Sequence, residues 1–124
     1  MSEGHTITTE PAPGRLRIVI GGETFADSSR AVQLNETGLP PRYYVPREDV
    51  SMDKLTAIDL KTTCPFKGDA EYWSAKIGDR ELTGIAWSYP QPIEGRADIA
   101  GLVCFFAERV DELTLDGDPV SHSV

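Results

Sequence analysis

The clearest candidate for chemistry in this sequence is the segment from position 64 to 68, a cysteine followed by proline, phenylalanine, lysine and glycine. A turn of this composition can direct backbone amides at a sulfur atom, and Lys67 would stabilise the thiolate, the nucleophilic form of cysteine. Cys64 is therefore a candidate catalytic nucleophile or redox thiol. The alternative is an inert, half-buried thiol in a turn. No histidine base is expected, because His5 and His122 both lie in predicted tails.

A group of half-polar aromatic side chains is the second candidate site. Rings supply contact area for a small molecule and hydroxyls fix its orientation, while nearby basic groups add positive charge. Neighbouring residues of a strand point to opposite faces, so only one of Tyr43 and Tyr44 can line a given site. The alternative is that these rings fill the core and the sheet edges. The predicted ligand-binding set is Arg42, Tyr43, Lys67, Tyr72, Trp87 and Tyr89.

Other site types are not supported by residue types or spacing. Cys64 and Cys104 are too few for a cysteine-only zinc site, and the acids near Cys64 lack a known ligand spacing, so we predict no metal and no cofactor. A disulfide between the two cysteines is a minor alternative. Gly21 and Gly22 lack the lysine and the spacing of a phosphate-binding loop.

The composition restricts the partners and the domain count. A chain of 124 residues is one domain, and its formal charge of −8 repels phosphate backbones and anionic lipid, so we expect no nucleic-acid or membrane partner. Neither a secretory signal nor an apolar run of about 20 residues is present, which predicts a cytoplasmic protein. We expect a flexible lead over 1–13, one domain over 14–120 and a frayed end over 121–124.

Short apolar runs separated by glycine and proline predict an all-β, mainly antiparallel domain. The chain holds 11 glycines and 9 prolines, and no long amphipathic helix is evident. Residues 47–55 are expected to form one or two helical turns, and Phe25 to lie opposite Ile18. Strands are predicted at 15–20, 23–27, 31–35, 42–45, 56–62, 100–107, 110–115 and 118–120.

A β-hairpin over residues 70–89 is the strongest local prediction. Gly78 and Asp79 suit a two-residue turn, which would pair Ile77 with Arg80 and place Trp73 across from Gly84. One face then carries the core residues Trp73, Ala75, Ile77, Leu82, Gly84 and Ala86. The other face gathers Tyr72, Ile85, Trp87 and Tyr89 at the end of the hairpin beside the turn at 64–68.

Several motifs, in this order along the chain, resemble the DUF427 domain family, a family of unknown function. They cover roughly Gly14 to Val120. The motifs are Arg42-Tyr43-Tyr44-Val45-Pro46 with Asp49-Val50, Cys64-Pro65-Phe66-Lys67-Gly68 with Ala70 and Tyr72, Ala86-Trp87-Ser88-Tyr89 with Pro92, and Ile99-Ala100-Gly101 with Phe105.

The resemblance implies a small two-sheet β-tent, or Mss4-like, domain, similar to the thalidomide-binding domain of cereblon. Many β-tent relatives hold zinc with two cysteine pairs, which this chain lacks. Some bind small molecules in an aromatic cage, which would place Tyr43, Trp87 and Tyr89 around a ligand. Three hypotheses follow: a module that binds a small polar or aromatic molecule, an enzyme that uses Cys64, and a structural or interaction module, as monomer or homodimer.

Overall fold

The computed structural model describes residues 6–64, 67–92 and 97–120. Short 3-10 turns occupy Arg47–Asp49, Met52–Lys54, Ala97–Ile99 and Ala107–Arg109. The strands, numbered in chain order, are β1 (Ile7–Pro11), β2 (Leu16–Ile20), β3 (Glu23–Ser28), β4 (Val32–Glu36), β5 (Arg42–Val45), β6 (Leu55–Cys64), β7 (Gly68–Ile77), β8 (Arg80–Ser88), β9 (Val103–Phe105), β10 (Glu112–Leu115) and β11 (Asp118–Pro119).

The strands form two antiparallel sheets. The larger sheet has seven strands in the order β1-β4-β5-β9-β8-β7-β6, and the smaller has four in the order β11-β10-β2-β3. The predicted all-β, mainly antiparallel fold with only short helical turns is thus confirmed. The relation to β-tent domains stays a prediction. No helix within the described residues is long and apolar enough to cross a membrane.

The seven-stranded sheet buries side chains on both of its faces. One face packs against the four-stranded sheet and forms the main core, in which Phe25 and Phe105 meet edge to face at 6.3 Å. The opposite face carries a second buried cluster, in which Tyr44, Trp87 and Cys104 lie together. Because successive strand residues point to opposite faces, adjacent residues of β5, β8 and β9 serve different cores.

The β7–β8 hairpin has the predicted turn and a bulge beyond it. Ile77 pairs with Arg80 as expected, but the register shifts after Ala75 and Leu82, and Trp73 then lies opposite Ala86. The prediction that Trp73 faces Gly84 was therefore wrong. Beyond the bulge, β8 is shifted by two residues along β7. Because side chains on the same face recur every second residue, Trp87 still lies on its predicted face.

The bulge is built around Gly84. This residue has φ +66°, a conformation that glycine adopts without steric cost, and its amide donates to the hydroxyl of Ser74 at 3.1 Å. The local reorientation also moves Ile85 to the main core, where it is fully buried, although it was expected beside Trp87. A smaller irregularity in the β2–β3 pair places Ala26, not Phe25, opposite Ile18.

Part of the predicted N-terminal lead forms a strand. Residues 7–11, predicted as part of a flexible lead, form strand β1 and pair with β4 from Ile7–Glu36 to Pro11–Val32. Isoleucine and threonine favour extended structure, and β4 supplies the edge that they pair with. Residues 1–5 and the predicted frayed end at 121–124 lie outside the described residues.

Replacing Gly84 by alanine should lower the free energy of unfolding by about 1–2 kcal/mol, the cost of a left-handed backbone for a residue with a Cβ. The added Cβ would meet Leu60 and Tyr72 at 3.7 and 3.8 Å, which are ordinary contacts, so the cost is one of backbone conformation. Urea denaturation measures the change. The control is exposed Thr83→Ala, for which we expect a change within about 0.5 kcal/mol. Equal losses in the two variants would contradict the prediction.

Candidate ligand-binding site

A cavity of about 220 Å³ opens on the face of the seven-stranded sheet that carries the second cluster. Strands β4 and β5 supply one wall, and β7 and β8 supply the other. Aromatic rings dominate the lining and a few charged groups complete it. The lining residues are Leu34, Glu36, Leu39, Pro40, Arg42, Tyr44, Lys67, Tyr72, Trp87, Tyr89 and Phe106.

An ion pair joins the two walls of this cavity. The Lys67 ammonium lies 2.7 Å from Glu36 Oε1, and the two side chains are only 12% and 11% exposed. Four strand spacings separate β4 from β7 in the sheet order, which is about 19 Å in a flat sheet. Two extended side chains cannot bridge that distance. The sheet must therefore curl so that the turn before β7 reaches the end of β4, and the curl makes the face concave.

The floor of the cavity is a set of interlocked rings. Trp87 Nε1 donates a hydrogen bond to the Tyr44 hydroxyl at 3.3 Å, and the two rings meet edge to face at 6.4 Å. Phe106 packs on Trp87 with centroids 4.4 Å apart, and Tyr89 lies 6.5 Å from Tyr44. Each of these rings packs against another, so ring contacts and the Trp87–Tyr44 hydrogen bond orient the polar atoms of the floor.

Arg42 covers part of the aromatic surface. Its guanidinium lies 5.5 Å from the Trp87 ring centre and 5.6 Å from that of Phe106, within the range of cation–π contacts. Two parallel hydrogen bonds, of 2.8 and 3.2 Å, join it to the carboxylate of Glu108. Arg42 is thus held in one orientation by a ring surface and a bidentate partner.

The hydroxyls of Tyr44 and Tyr89 stay protonated at neutral pH. Burial is the largest cause that raises the pKa of Tyr44 and the pKa of Tyr89 above the ordinary tyrosine value. Each therefore remains a neutral phenol that can donate a hydrogen bond. The hydroxyl of Tyr72 is 2.8 Å from Thr62 Oγ1, so this ring is fixed from the edge strand β6.

Most of the residues predicted from the sequence come together here. Arg42, Lys67, Tyr72, Trp87 and Tyr89 all line the cavity. Tyr43 does not. It points to the main core, and its neighbour Tyr44 takes the position that the prediction gave to Tyr43.

Sequence reasoning missed Glu36, Leu34 and Phe106. Glu36 and Leu34 lie on a strand that meets β7 only through the curl of the sheet, so no local pattern connects them with the turn at 64–68. Phe106 directly follows β9 and contacts both cores. Cys104, two residues earlier, pairs with Trp87, and this pairing brings Phe106 to the Trp87 ring.

Cys64 lies beside the second cluster and is half-buried. Its carbonyl accepts a hydrogen bond from the Lys67 amide at 3.1 Å, which closes the turn. The Lys67 ammonium, expected to stabilise a thiolate, pairs with Glu36 instead. Pro65 and Phe66 of the same turn lie outside the described residues, as do both histidines. Cys64 and Cys104 are free thiols.

In the part of the chain that the structure describes, no three histidine, cysteine, aspartate or glutamate side chains gather as a metal site would require. The charged groups of the cavity are arranged as ion pairs.

The buried thiol of Cys104 should make the protein sensitive to alkali. Burial raises the pKa of Cys104 from its ordinary value of 9.0 to about 12. The unfolded chain therefore loses this proton first. The stabilising contribution is complete below pH 9 and is lost as the pH rises toward 12.

Urea denaturation at stepped pH tests this expectation. Cys104→Ala should lower stability at every pH, because it shortens a fully buried side chain, and should also flatten the decline above pH 9. Part of the decline should remain, since Tyr44 and Tyr89 also have raised pKa values. Equal slopes for wild type and variant would show that Cys104 does not contribute.

Comparison with known proteins identifies the family. No curated protein matches this chain significantly. The family model described as "Domain of unknown function (DUF427)" matches residues 8–116, which include every lining residue of the cavity. This match confirms the resemblance inferred from the motifs, and the chain belongs to the DUF427 family.

Proposed function

We propose that this protein binds a small organic molecule, polar and with a flat ring, in the aromatic cavity. The observation that supports this proposal is a concave site with rings on its floor and a small number of buried polar groups at fixed positions. Small-molecule sites have this composition, because rings provide contact area and a few polar atoms provide orientation. The volume of about 220 Å³ limits the ligand to one or two rings.

The mouth of the cavity extends its apolar surface. Leu39 is 59% exposed, the largest exposure of any large hydrophobic side chain in the described residues, and it lies on the cavity lining beside Pro40. A ligand ring in the cavity would contact this apolar side chain at the mouth.

A second depression, on the outer face of the four-stranded sheet, is a weaker candidate. It has a larger volume, about 330 Å³, but its lining includes no aromatic side chain. Its ion pair between Arg15 and Asp27 is well exposed, at 68% and 35% of the side-chain surface. Solvent screens such pairs, so this surface offers little for the recognition of a small molecule.

Catalysis by Cys64 has less support than binding. Within the described residues no hydrogen bond reaches its sulfur, and Lys67, the cation expected to stabilise its thiolate, is paired with Glu36. A nucleophilic cysteine needs a base or a cation to activate it. We therefore keep Cys64 as a residue beside the cavity and propose no reaction for it.

Native mass spectrometry of gently purified protein, followed by denaturing mass spectrometry, is the test of ligand binding. We expect excess mass in the native spectrum that disappears on denaturation. Trp87→Phe should reduce this bound fraction at least about tenfold, because it removes both ring surface and the hydrogen bond to Tyr44.

The matched control is Trp73→Phe. Trp73 and Trp87 lie on the same hairpin with the same 7% exposure, but Trp73 faces the main core. The control should keep the bound mass, and circular dichroism should show both variants folded. Equal losses in the two variants, or a bare mass together with no response of the Trp87 indole resonance to aromatic probes, would overturn the proposal.

A further inference from the structure

Both cations on the cavity lining carry an opposite charge within hydrogen-bond distance. Lys67 is paired with Glu36 at 2.7 Å, and Arg42 with Glu108 at 2.8 Å. Each pair joins one positive and one negative side chain, so the net charge of these four described side chains is zero. The Lys67–Glu36 pair is the more buried of the two, so its electrostatic effect on a bound molecule is screened least.

An organic cation meets two obstacles in this cavity. The ring faces of Trp87 and Phe106, where a cation would bind, already carry the guanidinium of Arg42. Lys67 adds a second positive charge on the lining. A ligand cation would therefore face like charges at short range in a site of low polarity.

An organic anion meets a different obstacle. The basic groups that would hold it already donate to Glu36 and Glu108. An anion that bonds to Lys67 or Arg42 would lie beside the carboxylate that the cation already holds, and like charges at this range repel each other.

A neutral molecule avoids both obstacles, and the cavity offers it hydrogen-bond donors that have no acceptor of their own among the hydrogen bonds of the described residues. An ammonium carries three N–H groups, and the Lys67 ammonium has one bond to Glu36. Tyr44 accepts from Trp87 and keeps its own hydroxyl proton to donate. The complementary ligand is thus a flat ring that supplies acceptors without charge, such as a carbonyl group.

We infer that the cavity selects an electrically neutral ring compound with a carbonyl acceptor, and that the Lys67–Glu36 pair sets this charge selectivity. The inference rests on the proposed function, since it names the ligand class of the same cavity. It assigns Lys67 and Glu36 a role in specificity in addition to their role in joining the walls.

Three probes of one shape test the inference: benzamide, benzoate and benzamidine. They share a phenyl ring and differ in charge, which is zero, negative and positive at pH 7. Each is titrated into ¹⁵N-labelled protein while the indole N–H resonance of Trp87 is followed, with the Trp73 indole as an internal reference. Benzamide should bind at least about tenfold more tightly than either charged probe, the typical value of one charged hydrogen bond.

Two single variants should reverse this preference. Glu36→Gln leaves the Lys67 charge uncompensated and should improve benzoate binding at least about tenfold. Lys67→Gln removes a positive charge that repels a ligand cation and should improve benzamidine binding to a similar extent. The control is Arg80→Gln, which also removes one positive charge but from an exposed pair with Asp111, and should leave all three affinities unchanged.

The outcomes separate the two proposals. If no probe shifts the Trp87 resonance in wild type or in either variant, the binding function and the inference both fail. If probes bind but benzoate or benzamidine equals benzamide, or the variants do not change the preference, binding stands and the charge selectivity is wrong. Dispersed ¹H–¹⁵N spectra establish folding, and Glu36→Gln alone suffices if Lys67→Gln does not fold.

Discussion

Burial of both faces of one sheet is the constraint on which this structure depends. Side chains of a strand alternate between faces, so a sheet with two buried faces must satisfy two cores with neighbouring residues. Tyr43 and Tyr44 show this directly, because one faces the four-stranded sheet and the other the cavity. A register error of one residue would exchange the two cores and move Trp87 out of the site.

The bulge at Gly84 is compatible with this constraint because it shifts the register by two residues. A one-residue bulge would have reversed the faces of β8 between the turn and Trp87. The two-residue shift lengthens β8 relative to β7 and leaves Ala86 facing the main core and Trp87 facing the cavity. Glycine is needed where the chain adopts φ +66°, and the Ser74 hydroxyl pairs with the amide that the ladder leaves unpaired.

The features that could be predicted from the sequence are those that depend on residues close together along the chain. The hairpin turn, the strand of Arg42–Val45 and the cavity positions of Trp87 and Tyr89 follow from local patterns that the structure contains. The choice between Tyr43 and Tyr44 could not be made locally, since alternation says that they face opposite sides of the sheet but not which one faces the cavity. Glu36 was missed for a related reason: only the curl of the sheet brings β4 to the turn before β7.

The Lys67–Glu36 ion pair joins the two walls of the curled sheet. Apolar contacts at the same place would give the fold equal or greater stability. Two charges lose hydration when they are nine-tenths buried, and a pair such as Lys67–Glu36 returns little net stability over apolar side chains of similar volume. Apolar side chains at these positions could close the same concave face. They would not present N–H donors to the interior of the cavity, and they would not provide the charge selectivity that we propose. The ion pair therefore fits the proposed selectivity better than a role in stabilising the fold.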